Sequence, residues 1–256
     1  MKGEPGDFTP EYGVAVGITT PQANTTVEPE MQVLLDGTVL TARLTSGISD
    51  SRARLIDYFD RLDATHRQFD VAPLAAAGFA CTGSCYLVGR ANEERRLAAA
   101  AQAAGYPVLS AAQSIRMALK ELGVHRLALL SPYPKWLSDA GQQYWRNEGF
   151  ALTAVACLPA ELLDTRNIYK LTTPCVQEVL ARLDTSGADA VLLSGTGMPT
   201  LRSLAQNRSG VPMLSSNLCL AWALTRIATP ATPGASLRWW LAADAPWRAR
   251  LAARCS

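Results

Sequence analysis

The chain contains 256 residues, enough for one large domain or for two closely joined halves. Its hydrophobic fraction of 48% and its charged fraction of 18% are typical of a globular chain with a large core and exclude an intrinsically disordered protein. The net charge of +2 comes from scattered basic residues, which argues against a nucleic-acid-binding protein, and no apolar run approaches the roughly 20 residues of a membrane span.

Short apolar runs alternate with amphipathic stretches along the chain, which predicts a mostly parallel sheet flanked by helices. In chain order, strands are predicted at 13–19, 75–80, 107–110, 126–130, 152–157, 190–193 and 212–214. Helices are predicted from about 28, from about 50 to 62, and at 92–103, 111–122, 136–147, 172–184 and 216–227. The apolar spacing after Asp50 assigns Leu55, Tyr58 and Phe59 to the core. The tail from residue 228, rich in Ala, Pro, Trp and Arg, is either a packed cover or a frayed end.

Similar tripeptides recur in the two halves of the chain. Cys81-Thr82-Gly83 and Gly195-Thr196-Gly197 each follow an apolar strand, 114 positions apart, and two further pairs of segments repeat at 111 and 105. Such close spacings predict a duplicated α/β half. We therefore expect an α/β fold of two pseudo-symmetric halves, each with a mostly parallel sheet flanked by helices and with the active site in the cleft between them. The first half comprises 1–110 and 216–256, and the second comprises 111–215.

The start of the chain lacks the apolar segment of a secretory signal, and its six cysteines are too sparse for a disulfide scaffold. These features predict a cytoplasmic protein. The spacing of Cys81 and Cys85 and the presence of only two histidines give little support to a zinc site, so no metal is expected. His66 and His125 are predicted at the surface. No glycine-rich phosphate-binding motif is present, so no nucleotide cofactor is expected.

Cys81 is the strongest catalytic candidate, because it lies where a strand gives way to a loop and a helix. At such a position the helix dipole and free backbone N–H groups lower the pKa of a thiol. Thr82, Gly83 and Ser84 could form an anion cradle beside it. The alternative interpretation is a buried thiol that merely continues the strand, since free cysteines are often buried.

Other strand ends add polar groups to the same cleft. The loop 20–26, which contains Asn24, offers uncharged donors suited to a carboxylate, although a solvated turn has the same composition. Tyr133 could contribute a phenol or could only pack, and Asn167 could equally cap a helix. Thr196 follows the strand that matches the one before Cys81.

Four segments, Asn24–Glu30, Ala80–Ser84, Ser131–Tyr133 and the region of Asn167, together resemble one known family. This family is the maleate cis-trans isomerase and arylmalonate decarboxylase branch of the aspartate/glutamate racemase superfamily, and the resemblance covers roughly residues 12–227. It implies a cofactor-free enzyme with its active site between the halves. It also implies that Cys81 is the first family cysteine and that Asn24, Tyr133 and Asn167 hold substrate carboxylates.

The second family cysteine is absent, because Gly195 occupies its expected position. Racemisation by two thiols, one acting as acid and one as base, is therefore doubtful. We expect Cys81 to transfer a proton at the α-carbon of a small dicarboxylic acid, most economically in the decarboxylation of a malonate-type substrate. In that interpretation Thr82, Gly83, Ser84, Thr196 and Tyr133 stabilise the enediolate. The matching strand ends predict that a cysteine at 195 would face Cys81 across the cleft.

The alternatives are a maleate-type cis-trans isomerase or racemase, in which the Cys81 thiolate adds to the substrate alkene, and a catalytically silent dicarboxylate-binding homologue. The expected partner is thus a small dicarboxylic acid, with no nucleic acid and no membrane. A homo-oligomer is compatible with the sequence, which does not determine the oligomeric state.

Overall fold

Two four-stranded sheets form the centre of the protein, whose computed structural model describes residues 13–158 and 164–254. The first sheet contains β1 (Ala15–Pro21), β2 (Thr38–Leu44), β3 (Leu74–Phe79) and β4 (Val108–Ser110), in the order β2-β1-β3-β4. The second contains β5 (Arg126–Ser131), β6 (Ala151–Cys157), β7 (Ala190–Leu193) and β8 (Met213–Ser215), in the order β6-β5-β7-β8. All paired strands are parallel. The predicted α/β class and the repetition of one sheet topology are both confirmed.

Twelve α-helices surround the sheets in the described part of the chain. They are α1 (Val27–Leu34), α2 (Ser51–Asp60), α3 (Leu62–His66), α4 (Thr82–Val88), α5 (Arg90–Ala104), α6 (Ala111–Glu121), α7 (Lys135–Asn147), α8 (Thr173–Leu180), α9 (Leu201–Gln206), α10 (Ser216–Ala228), α11 (Leu237–Leu241) and α12 (Pro246–Ala253). Short 3₁₀ turns cover Arg67–Phe69, Thr165–Lys170 and Pro233–Ala235. None of these helices is long and apolar enough to cross a membrane.

Helices α6 and α10 occupy equivalent positions in the two halves and pack against each other. Each begins with a serine cap: Ser110 Oγ accepts from the N–H of Gln113, and Ser215 Oγ accepts from the N–H of Leu218. These caps satisfy N–H groups that the first helical turn leaves without partners. Helix α10 also packs against β3 and β4 and is buried on every face over residues 216–224, as its apolar composition requires.

The structure differs from the sequence prediction at a few elements. Strand β2 was not predicted, because it is a half-exposed edge strand and lacks a continuous apolar run. The helix after Asp50 breaks into α2 and α3, although Leu55, Tyr58 and Phe59 are buried as predicted. The predicted surface position of His66 is wrong: its side chain is buried, and burial lowers its pKa to about 4.

The C-terminal tail is a packed cover. Trp240 and Trp247 are almost fully buried, and the indole N–H of Trp247 donates to the carbonyl of Trp240 at 2.8 Å. Arg250 on α12 donates to the carbonyls of Val33 and Leu34 at the end of α1. A guanidinium at this position satisfies carbonyls that a helix end leaves free. Cys255 lies outside the described residues.

Candidate active site

Cys81 lies between β3 and α4, at the carboxyl edge of the first sheet, and is 5% exposed. Two hydrogen bonds bring the strand ends of the two halves to this point. The hydroxyl of Thr196, which follows β7, donates to the carbonyl of Ala80 at 2.9 Å, and the hydroxyl of Thr26 donates to the carbonyl of Gly197 at 3.0 Å. The polar strand ends of both sheets therefore meet beside the Cys81 thiol.

Most of the hydroxyl groups expected to bind substrate already donate to protein atoms. The Thr82 hydroxyl donates to Ser216 Oγ at 3.1 Å, and the Ser84 hydroxyl donates to the Leu55 carbonyl at 2.6 Å. The backbone N–H of Gly195 donates to Ser216 Oγ at 2.9 Å. Because each hydroxyl has one proton, Thr82 and Ser84 can offer only oxygen lone pairs to a ligand in the observed arrangement.

The Cys81 thiol contacts Ser84 directly, with 3.1 Å between Sγ and Oγ. Burial raises the pKa of the thiol, while hydrogen bonds from Ser84 act in the opposite direction. The expectation of a depressed thiol pKa is therefore not met, because desolvation outweighs the favourable groups at the start of α4. At neutral pH the structure favours a protonated thiol. Gly83 is closely packed, because a Cβ there would lie 3.2 Å from Leu137 Cδ2 and 3.7 Å from the Tyr133 ring.

Three tyrosines lie around the thiol. Tyr58 comes from α2, Tyr133 follows β5, and Tyr169 comes from the 3₁₀ turn Thr165–Lys170. Burial raises the pKa of each phenol, to about 12 for Tyr58 and well above the ordinary value for Tyr133 and Tyr169, and the charge of a Cys81 thiolate adds to each increase. All three phenols are therefore neutral at pH 7, available as uncharged hydrogen-bond donors.

Asn24 presents a buried donor with no partner. Its Oδ1 accepts from the N–H groups of Thr26 and Val27 at 2.9 and 3.1 Å, which fixes the amide at the start of α1. Its Nδ2 is buried and has no hydrogen-bond partner, and the same is true of Thr20 Oγ1. Because Thr19 pairs with Phe79 in the register of β1 and β3, Thr20 lies at the same sheet edge as Cys81. An unpaired buried donor is costly unless a ligand satisfies it.

Asn167 lies half-buried on the 3₁₀ turn that carries Tyr169. The buried Arg54 holds this turn by donating to Asp164 at 2.8 Å and to Thr165 at 3.2 Å. A hydrogen bond from Arg166 lowers the pKa of Asp164 to about 2, so the Arg54–Asp164 pair is charged at neutral pH. The turn therefore keeps a fixed position over the strand ends of the second half.

Gly195 has no room for a side chain. Its φ of +142° is unfavourable for any residue with a Cβ, and an ideal Cβ would lie 2.6 Å from Pro132 Cγ and 3.0 Å from Pro132 Cδ. Tyr133 Oη would lie 3.5 Å away. A cysteine at 195 would therefore have to displace Pro132, and whether it would face Cys81 across the cleft stays a prediction.

The arylmalonate decarboxylase family model matches residues 16–237. The chain belongs to this family of isomerases and decarboxylases. A maleate isomerase of Geobacillus stearothermophilus is 28% identical over 78% of this chain and 86% of that protein. The family membership implied by the sequence resemblance is confirmed.

Two solved structures show the same fold in other members of the family. A cysteine-to-serine mutant of the Nocardia farcinica maleate cis-trans isomerase, with a covalently bound succinylcysteine intermediate, has a TM-score of 0.75 at 23% identity, covering 86% of this chain and 96% of that one. An arylmalonate decarboxylase mutant, with one glycine changed to cysteine and one cysteine to serine, has a TM-score of 0.71 at 20% identity, covering 86% and 94%.

Arg54, Tyr58 and Tyr169 were not predicted near the site, whereas Thr20 belongs to the predicted loop 20–26. Tyr58 has the helical spacing of a core residue and does pack in the core, so periodicity alone does not distinguish its phenol. Arg54 gives a clearer signal, because it lies on the same predicted apolar helix, where a buried guanidinium requires an anionic partner. Its partner Asp164 is 110 positions away, so the pairing depends on the fold.

Proposed function

We propose that this protein is a cis-trans isomerase of a small alkene dicarboxylate of the maleate class, with Cys81 as its nucleophile. The observation that carries the proposal is the unpartnered amide Nδ2 of Asn24, buried at the sheet edge where the Cys81 thiol lies. A substrate carboxylate would satisfy that donor and place the neighbouring alkene near sulfur. The decarboxylation favoured by the sequence analysis becomes the second candidate, because the curated relatives are named maleate isomerases.

The reaction needs one thiol. The S–H of Cys81 adds across the double bond, with sulfur bonding to one carbon and the proton going to the other, so that the carbons are joined by a single bond. Rotation about that bond follows. Loss of the same proton and cleavage of the C–S bond then regenerate the thiol and release the trans alkene. A covalently bound succinylcysteine intermediate in a cysteine-to-serine mutant of the Nocardia relative supports the addition step of this sequence.

The surrounding groups fit the charge that develops. Addition of sulfur places negative charge on the carboxylate of the second carbon, as an enediolate. Tyr133 and Tyr169 are neutral donors beside Cys81 and would stabilise this charge, while Asn24 and Asn167 would hold the carboxylates. Thr82, Gly83 and Thr196 would shape the site, with Gly195 packed against Pro132 beside Tyr133.

A malonate-type decarboxylase is the second candidate, and the state of the Cys81 thiol favours it. After carbon dioxide leaves, the enediolate needs one proton, and a buried thiol whose pKa is raised is a protonated donor. One decarboxylase relative, in which a glycine is changed to cysteine and a cysteine to serine, has been solved in a ligand-bound form. The two candidates differ in product, so one experiment separates them.

The test is proton NMR of the enzyme with maleate, and separately with methylmalonate or phenylmalonate. We expect the maleate signal to be replaced by that of fumarate. Loss of a malonate carboxyl group without maleate turnover would support the decarboxylase and overturn the isomerase.

Two variants connect either activity to the site. Cys81→Ser should abolish turnover without loss of folding, because a serine hydroxyl has a far higher pKa than a thiol. Cys219→Ser, which changes another buried thiol on α10, should keep it. Full turnover by Cys81→Ser would contradict both candidates, and maleate binding without any turnover would indicate a silent homologue.

A further inference from the structure

Ser84 is the third residue of α4, and its hydroxyl lies between the Cys81 thiol and the backbone of α2. It donates to the Leu55 carbonyl at 2.6 Å and lies 3.1 Å from Cys81 Sγ. A serine hydroxyl carries one proton, so with that proton directed at Leu55 the oxygen can only accept from the thiol. The observed geometry therefore fixes the direction of the Cys81 S–H bond.

A thiolate would reverse this arrangement. The lone pairs of Ser84 Oγ would then face a negative sulfur, which is unfavourable while the hydroxyl proton points to Leu55. Rotation of the Ser84 hydroxyl about its Cβ–Oγ bond would direct the proton to sulfur and leave the Leu55 carbonyl without this donor. The two positions of one proton thus correspond to the two states of the thiol.

We propose that Ser84 is a positioning residue that orients the neutral Cys81 thiol and turns its hydroxyl proton to stabilise the thiolate. This replaces the substrate-binding role expected from the sequence. The proposal rests on the proposed function only in requiring that Cys81 becomes a thiolate during turnover. The contacts of Ser84 are present without substrate.

Other titratable groups also face the thiol. They are Tyr58 from α2, Tyr133 from the loop after β5, Tyr169 from the 3₁₀ turn and Cys85 from α4. Each of these is neutral at pH 7, because burial raises its pKa. Arg54 donates to Ser51, Asp164, Thr165 and two backbone carbonyls, and it also forms a hydrogen bond with the phenol of Tyr58. In the described part of the chain, Ser84 is the side chain with a hydrogen bond to the Cys81 sulfur.

The test measures the rate at which iodoacetamide alkylates Cys81 as a function of pH, followed by peptide mapping, because only the thiolate reacts. In Ser84→Ala we expect the midpoint to rise by about one to two pH units, a loss of roughly 10- to 100-fold in thiolate at fixed pH, since a hydrogen bond to a charged group is lost. Ser84→Thr, which keeps the hydroxyl, should restore the midpoint. A midpoint in Ser84→Ala equal to that of the unmodified protein overturns the proposal.

Ser114→Ala is the matched control. Ser114 is also a buried serine, and its hydroxyl donates to a backbone carbonyl, that of Ser110, at 2.7 Å. It should lose stability as Ser84→Ala does, with no change in the alkylation midpoint. An equal change of midpoint in both variants would make the effect a general loss of stability and would also overturn the proposal.

A measurement on the unmodified protein covers the case in which Ser84→Ala does not fold. The S–H stretching band of Cys81 in Raman spectra, assigned by its loss in Cys81→Ser, should lie at the lower wavenumber of a hydrogen-bonded thiol. A band at the unbonded position would overturn the proposal. If the protein does not turn over maleate but Ser84→Ala still raises the alkylation midpoint as expected, the proposed function is rejected and the role of Ser84 stands.

Discussion

Gly195→Ala tests whether the second strand end can hold any side chain. The positive φ of +142° costs a residue with a Cβ about 1–3 kcal/mol. The contact of 2.6 Å between the new Cβ and Pro132 Cγ adds the cost of overpacking, about 1–3 kcal/mol. Together these give a loss of about 2–6 kcal/mol in the free energy of unfolding.

Gly89→Ala is the matched control, because Gly89 also has a positive φ of +72° but nothing lies within 4 Å of its ideal Cβ. It should show the backbone cost alone. In a chain of this size 1 kcal/mol corresponds to about 2–4 °C, so Gly195→Ala should melt about 2–12 °C below Gly89→Ala. Thermal unfolding followed by circular dichroism measures the difference. Equal melting temperatures would mean that Pro132 moves aside easily, and that the space for a second thiol is present after all.

Three further predictions concern substrate binding and pH. Asn24→Asp should raise the KM for maleate about 100-fold, because it keeps the acceptor for the start of α1 but replaces the free donor, and an unchanged KM would contradict the role of Asn24. His66 should titrate by NMR near pH 4, below the 6.5 of an unfolded chain, so stability falls by about 3 kcal/mol as pH drops from 6.5 to 4; a midpoint at 6.5 would refute its burial. The pKa of Asp164 is lowered from 3.8 to about 2, so its stabilising effect is present above pH 4 and lost towards pH 2. The difference in melting temperature between the wild-type protein and Asp164→Asn should therefore shrink over that range, and a constant difference would contradict the ion pairing.

The fold could be predicted from the sequence largely because the same pattern occurs twice. In each half an apolar strand is followed by a similar tripeptide, and a later strand is followed by a helix that a serine caps, Ser110 or Ser215. This repetition specifies two copies of one topology. Strand β2 could not be identified in this way, because an edge strand with one face in solvent carries fewer apolar residues. In the structure β2 is identified by its parallel pairing with β1.

The candidate site could be predicted in position but not in electrostatics. The strand-end location of Cys81 follows from the sequence, but the tyrosines near it, Tyr58, Tyr133 and Tyr169, come from distant segments. Local sequence suggests a low thiol pKa, and the fold raises it by desolvation. In the same way, the sequence shows Gly195 only as the loss of a cysteine. The structure adds that a Cβ at this position would contact Pro132.

Protection of Cys81 from alkylation tests the central claim, that one buried thiol serves a dicarboxylate site, most directly. The protein is treated with iodoacetamide in the presence of maleate, or of acetate at the same concentration and ionic strength, and labelling of each cysteine is followed by peptide mapping. We predict that maleate slows the labelling of Cys81 at least tenfold, that acetate has little effect, and that the exposed Cys157 and Cys175 react equally in both. Equal labelling of Cys81 in maleate and acetate would contradict the account.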